Sequence, residues 1–68
     1  MRPNASAIRI RREALKMSLG TLSSLTGIHK SHLSRVEHGK AGLGGKNVLR
    51  LADALGVIPD DITHEEKT

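Results

Sequence analysis

Three features of the 68-residue sequence predict an all-α fold. Apolar residues recur at three- and four-residue intervals, as they do along one side of an amphipathic helix. Small polar residues that cap helices, Asn4 and Ser18, precede the first two of these segments. Glycines that can end helices follow the later ones, at Gly27, Gly39 and Gly56. These signals predict four helices followed by a short fifth one.

The first helix is predicted over about residues 5–16, with Asn4 or Ser6 as its cap. One face, at the i, i+4, i+7 spacing of a core-facing stripe, consists of Ile8, Arg12 and Leu15. Because Arg12 falls within this stripe, we expect its guanidinium to lie on the core side and to require a partner.

The second helix is predicted over residues 19–26, after the cap Ser18. Its glycine, serines and threonines are poor helix formers, so the helix must be held by the packing of Leu22 and Leu25. Gly27 follows at a position where a tight turn between two helices requires a positive φ angle.

The third helix is predicted over residues 30–38, with His29 as an unusual cap and Gly39 as its terminator. Leu33 and Val36 face the core at helical spacing. The opposite side carries Lys30, Ser31, Ser34 and Arg35. Long cationic and small polar side chains of this kind reach phosphates and base edges, so the pattern indicates a helix-turn-helix whose second helix reads DNA.

The remainder of the chain begins with a loop over residues 39–45 that contains four glycines. A fourth helix is predicted over residues 46–55, with a core-facing stripe of Val48, Leu51, Ala52 and Leu55. Pro59 opens the short fifth helix, and the apolar residues expected to return to the core are Val57, Ile58 and Ile62. We therefore expect one domain over residues 5–63, with flexible termini at residues 1–4 and 64–68.

Charge and composition restrict the partners of this domain. The formal net charge is +4, and ten of the eleven Lys and Arg residues but only two of the seven acidic residues lie in residues 1–50. A basic front of this kind suits a polyanion. The sequence has no aromatic residue on which single-stranded bases could stack, and no apolar run of membrane-spanning length. We expect a cytoplasmic protein without a membrane partner.

The run from Ile8 to Ile62 resembles the Cro and lambda-repressor-like, or XRE-type, helix-turn-helix family. The features that carry the resemblance are Arg12, Ser18, the turn Gly27-Ile28, the segment KSHLSRVEHG and the later segment LRLADALGV. The resemblance implies a compact five-helix DNA-binding domain. Leu19 stands where the family often has a phosphate-contacting Gln, and we expect Leu19 to be exposed.

The resemblance also implies roles for individual residues. Arg12 and Glu37 are expected to form a partly buried ion pair between the first and third helices. The residues expected to contact bases are Lys30, Ser31, Ser34 and Arg35. The residues expected to contact phosphates are Ser18, His29, His32, His38 and Lys40.

Other functions have weaker support. His29, His32 and His38 are close in sequence, but metal sites usually recruit cysteine or carboxylates as well, and the basic surroundings oppose a cation. Without a cysteine nucleophile or a phosphate-binding glycine motif, we expect neither an enzyme nor a cofactor. The main alternative is a protein-interaction module of the same fold, such as an antitoxin-like protein.

The sequence thus predicts a transcriptional regulator, with a repressor as the favoured form, that binds double-stranded DNA specifically. A single DNA-binding domain this small gains specificity when two copies of it bind a palindromic site together. We therefore expect a monomer or weak homodimer in solution and dimeric occupancy of the operator.

Overall fold

The computed structural model describes residues 2–64, which form four α-helices, one 3₁₀ helix and a pair of two-residue strands. In chain order the elements are β1 (Arg2–Pro3), α1 (Ala5–Ala14), α2 (Leu19–Thr26), α3 (Lys30–Glu37), α4 (Gly45–Leu55), the 3₁₀ helix (Pro59–Ile62) and β2 (Thr63–His64). The helical fold predicted from the sequence is confirmed, and the short fifth helix has 3₁₀ geometry.

The first helix is shorter than the sequence predicts. Asn4 caps α1 by accepting a hydrogen bond from the Ala7 backbone N–H at 3.1 Å. The helix ends at Ala14 rather than at Lys16, because Lys16 adopts a left-handed conformation with φ of +57°. Leu15 therefore leaves the helical stripe and is 39% exposed, so its predicted place in the core is wrong.

The second helix is rotated relative to the prediction. Leu22 is fully buried as expected, but Leu25 is 58% exposed and Thr26 is buried in its place. Thr26 lies one turn after Leu22, and its burial turns position 25 toward solvent. Leu19, which was expected to be exposed, is half-buried and packs against the core.

The core is entirely aliphatic. α2 packs against α3 and α4, whereas α1 packs against α3 and the 3₁₀ helix. The buried apolar residues are Ile8, Leu22, Ile28, Leu33, Val36, Val48, Leu51, Ala52, Leu55 and Ile62. Each long aliphatic side chain among them stabilises the fold by about 1.5–3 kcal/mol relative to an exposed one. The predicted stripe of α4 is confirmed, since all four of its members are in this set.

The segment after α4 departs from the prediction at one residue. Gly56 ends the helix with φ of +68°, and Arg11 donates from Nε to the carbonyl of Leu55 at 2.9 Å. Ile58 was expected to enter the core but is 61% exposed. It lies in extended backbone before the 3₁₀ helix, where its N–H donates to the carboxylate of Asp61 at 3.3 Å.

The two ends of the described chain pair with each other. β1 and β2 are antiparallel, with Arg2 opposite His64 and Pro3 opposite Thr63. The Asn4 N–H continues this pairing by donating to the Ile62 carbonyl at 2.8 Å. This order differs from the free arm expected over residues 1–4. Of the predicted tail over residues 64–68, residues 65–68 lie outside the described residues, as does Met1.

None of the helices within residues 2–64 has the length and apolar character needed to cross a membrane.

Candidate nucleic-acid interface

The turn between α2 and α3 is held by side-chain hydrogen bonds from α2. The buried hydroxyl of Thr26 donates to the Leu22 carbonyl at 2.8 Å and accepts from the Ile28 N–H at 3.1 Å. Ser23 donates to the Ile28 carbonyl at 2.6 Å. Gly27 between them has φ of +75°. These bonds fix the direction in which the chain enters α3.

The buried side of α3 determines which side faces outward. Leu33 and Val36 are fully buried, and the side chain of Glu37 is only 4% exposed. Residues on the opposite side of a helix with these buried positions must face solvent. Lys30, Ser31 and Arg35 are indeed exposed, and Ser34 is half-buried. The four predicted base-contacting residues thus share the outward part of one helix.

The exposed side of α3 carries positive charge without a neighbouring acid on the same helix. Glu37 is the single acidic residue of α3, and its carboxylate is bound to Arg12. Lys30 and Arg35 therefore present their charges to solvent, uncompensated within the helix. A surface of this kind attracts a polyanion and suits phosphate and base-edge acceptors.

Arg12 and Glu37 form a bidentate ion pair between α1 and the end of α3. Arg12 Nε donates to Glu37 Oε2 at 2.7 Å, and Nη2 donates to Oε1 at 3.0 Å. Arg12 Nη1 also donates to the Met17 carbonyl at 2.7 Å. The structure therefore brings together the two residues expected to pair, with side chains 14% and 4% exposed. The pair fixes the C-terminal end of α3 against α1.

The two histidines that flank α3, one at each end, make contacts with its backbone. His29 caps the helix, because its Nδ1 accepts a hydrogen bond from the Ser31 N–H at 3.2 Å. His38 donates from Nδ1 to the Ser34 carbonyl at 2.7 Å. Each ring therefore keeps only its Nε2 for a contact with DNA.

His32 ties the loop after α3 to the side of the helix. Its Nε2 donates to the Gly42 carbonyl at 3.1 Å. The Lys40 N–H donates to the Arg35 carbonyl at 2.8 Å, and Gly39 makes the turn with φ of +72°. The loop thus runs back along α3, with the Lys40 side chain exposed next to the helix end.

Ser18, the remaining predicted phosphate contact, lies at the exposed start of α2. Its Oγ accepts from the Thr21 N–H at 3.0 Å and is also 3.0 Å from the Thr21 hydroxyl. The first backbone N–H groups of α2 lie beside it, so this helix end can receive an anion.

Sequence reasoning treated Thr26 and Ser23 only as poor helix formers and overlooked their hydrogen bonds to the turn. A threonine before a turn glycine could have been recognised as a hydrogen-bonding residue, since threonine hydroxyls often satisfy turn backbone groups. Within residues 2–64, no three His, Cys, Asp or Glu side chains are grouped closely enough to hold a metal ion.

Comparison with known proteins identifies relatives across most of the chain. A family model described as helix-turn-helix matches residues 8–62. The restriction-modification controller protein C.AhdI from Aeromonas hydrophila is 33% identical with a TM-score of 0.80, covering 84% of this chain and 86% of that one. No curated protein is significantly similar.

The P22 c2 repressor is similar in two solved structures. In its complex with synthetic operator 9T it is 30% identical with a TM-score of 0.81, covering 88% of this chain and 91% of that one. The solution structure of its DNA-binding domain is 31% identical, again with a TM-score of 0.81, covering 85% of this chain and 76% of that one.

Proposed function

The chain belongs to the XRE-type helix-turn-helix family and is a DNA-binding transcriptional regulator, and from that premise we propose that it is a repressor that reads its operator with α3 in the major groove. The observation that carries the proposal is the orientation of α3. Its apolar side and its one carboxylate are buried, so Lys30, Ser31 and Arg35 are left exposed together.

Arg35 and Lys30 are the proposed sequence-reading residues. A guanidinium can bond the O6 and N7 of one guanine in a bidentate manner, and a lysine can reach the same acceptor pair. The two residues are five positions apart on α3, so they would reach different base pairs along the groove. Ser31 and Ser34 lie between them and are short enough to let the helix approach the bases.

The proposed phosphate contacts surround these residues. Lys40 follows the end of α3, and Ser18 lies at the start of α2, where backbone N–H groups can bind an anion. His29 would donate from Nε2, and His38, whose Nδ1 already donates to the Ser34 carbonyl, would donate from Nε2 as the doubly protonated ring. The His32 ring already donates to the loop, so we propose that it positions the loop beside the phosphates and contributes little direct binding.

Regulation would require no chemistry beyond binding. A repressor acts by occupying a promoter site and excluding polymerase, and we propose no enzymatic activity and no cofactor. The two repressor structures similar to this chain, one of them with an operator, support this form of regulation.

We further propose that two copies bind a palindromic operator, with half-sites about 34 Å apart or a multiple of that distance. Leu49 in α4 and Ile58 after that helix are each 61% exposed. Exposed aliphatic side chains of this size are suitable for a small contact between copies.

Selection of bound duplexes from a random library tests the proposal. We expect enrichment of one palindromic sequence, with binding to it roughly 10³-fold tighter or more than to a scrambled duplex. Binding to both should weaken steeply as salt rises. Recovery of no preferred sequence, together with no salt-dependent binding, would favour the protein-interaction module instead.

A further inference from the structure

A groove of about 480 Å³ lies between the paired chain ends and the loop that follows α3. One wall is formed by β1 and β2 and the other by the loop segment from Gly39 to Gly42. Three basic side chains line it, namely Arg2, Lys40 and His64, and all three are exposed. The groove is therefore open to solvent and basic on both walls.

The strand register places two of these side chains together. Arg2 is directly opposite His64 in the antiparallel pair, and side chains at opposite positions lie on the same face of a two-stranded ribbon. Residues 2 and 64 are far apart in sequence, so only the pairing of the chain ends brings them to one site.

The pairing is anchored at both ends of the domain. Asn4, next to β1, caps α1 and also donates its N–H to the Ile62 carbonyl at 2.8 Å. Ile62, next to β2, is buried in the core, and Thr63 donates to the Pro59 carbonyl at 3.0 Å. Arg2 is thus held next to a fixed part of the fold.

The opposite wall is continuous with the candidate interface. The loop is held against α3 by the bond from His32 to the Gly42 carbonyl and by the bond from the Lys40 N–H to the Arg35 carbonyl. The DNA backbone that borders the bases contacted by α3 would therefore pass close to the groove.

No acidic side chain neutralises the basic residues of the groove within the described part of the chain. The ion pairs among residues 2–64 are Arg9–Glu13 and Arg12–Glu37, and neither lies in the groove. The loop wall adds small glycines, whose backbone an elongated ligand can approach closely.

We propose that this groove binds a backbone phosphate of the duplex, so that the paired chain ends, through Arg2 and His64, extend the DNA-binding surface beyond the helix-turn-helix. The proposal rests on the proposed function, since it concerns the same DNA complex. Phosphate contacts position a protein without reading sequence, so this contact should contribute to affinity for any duplex.

The test compares Arg2→Gln with the wild-type protein on operator and scrambled duplexes across a salt series. We expect binding to both duplexes to weaken about fivefold at ~0.15 M salt and the salt slope to fall by about one per bound protein. Arg2→Lys should retain most of the affinity, because a phosphate contact requires chiefly the positive charge.

Arg9→Gln is the matched control, because it removes the same charge from the exposed side of α1, outside the groove. We expect it to bind nearly as the wild type does, and thermal melts should show that both variants fold. If Arg2→Gln and Arg9→Gln lost equal amounts of DNA affinity, the loss would be explained by net charge alone, and the proposal would be overturned.

Two further outcomes separate this proposal from its alternatives. Titration with inorganic phosphate, followed by calorimetry, should give only weak binding. If phosphate bound tightly in an Arg2-dependent manner while Arg2→Gln left DNA affinity unchanged, the groove would be a small-anion site instead. If the wild type bound DNA specifically and Arg2→Gln did so equally well, this proposal would fail and the proposed function would stand.

Discussion

At the scale of single residues, Arg12 makes more side-chain hydrogen bonds than any other charged residue in the described chain. Its guanidinium donates two hydrogen bonds to Glu37 and one to the Met17 carbonyl. The hydrogen bonds to Glu37, together with the negative charges of Glu37 and Glu13, raise the pKa of Arg12, against the lowering effect of burial. The contribution of the Arg12 charge to stability is therefore fully present at neutral pH, and it is lost as pH rises through the raised folded-state pKa, far above neutrality.

Glu37→Ala should lower the free energy of unfolding by about 3 kcal/mol, because it leaves the Arg12 guanidinium partly buried without its carboxylate. Urea denaturation of the variant and the wild type measures the difference. Replacing both residues with apolar ones, as in Arg12→Met with Glu37→Leu, should recover much of the loss. A single variant as stable as the wild type would show that the pair contributes nothing to folding.

Lys16 is the one non-glycine residue with a positive φ angle in residues 2–64. Lys16→Gly should therefore stabilise the fold by about 1 kcal/mol, since only glycine adopts this conformation without steric cost. Gly39→Ala is the reciprocal control, because a Cβ there would meet no atom within 4 Å and only the backbone strain would be felt. We expect opposite shifts in melting temperature, and a destabilised Lys16→Gly would contradict the argument.

At the scale of elements, α2 shows where sequence periodicity reaches its limit. Leu22 and Leu25 are both leucines, and they lie three residues apart, a spacing at which two residues share one face of a helix. The pattern alone therefore assigns both to the core. The structure instead buries Thr26, whose hydroxyl satisfies two backbone groups at the turn. A polar residue in a core position is visible only when the hydrogen bonds of the turn are considered.

Alanine substitution distinguishes the two leucines of α2. Leu22→Ala should lower the free energy of unfolding by about 2–5 kcal/mol, because it opens a cavity in the core, where Leu22 is fully buried. Leu25→Ala should change stability by less than about 0.5 kcal/mol, since that side chain is mostly exposed. Chemical denaturation of the two variants measures both values, and similar losses would mean that α2 is rotated as the sequence pattern suggests.

α3 and α4 were predicted more fully than α1 and α2. Their buried residues follow helical spacing without exception, and Gly39 and Gly56 have the positive φ angles expected of helix ends. α1 ends early because Lys16, which has no sequence signature of a left-handed residue, makes its terminal turn. Such a turn depends on local hydrogen bonds that residue spacing does not encode.

At the scale of the whole molecule, the pairing of the chain ends could not be predicted. A strand of two residues has no periodic signal, and β1 and β2 are separated by nearly the whole sequence. Their pairing follows from where α1 and the 3₁₀ helix dock on the core. The exposure of Lys30, Ser31 and Arg35 on a common part of α3 was predictable because one helix carries them, whereas the groove that contains Arg2 required the tertiary structure.

Assembly on DNA is the first prediction at this scale. Sedimentation of the protein with a duplex that carries its palindromic site should show two proteins per duplex at saturation. Leu49→Ser and Ile58→Ser replace two exposed aliphatic side chains, one in α4 and one after it. Both variants should weaken the binding of the second protein copy to the duplex. One protein per intact palindrome at saturation would rule out the dimeric complex.

The central claim is that α3 enters the major groove with Arg35 at the bases and Lys40 at the phosphates, and binding isotherms for Arg35→Ala and Lys40→Ala test it most directly. Both variants are measured on operator and scrambled duplexes across a salt series. Arg35→Ala should lower the binding free energy for the operator by about 1–3 kcal/mol and that for the scrambled duplex by less. It should also relax the preference for one base in each half-site. Lys40→Ala should weaken binding to both duplexes by the same factor, and it should lower the slope of log affinity against log salt by about one per bound protein. Equal losses on the two duplexes for Arg35→Ala, or a changed base preference for Lys40→Ala, would contradict this orientation of α3.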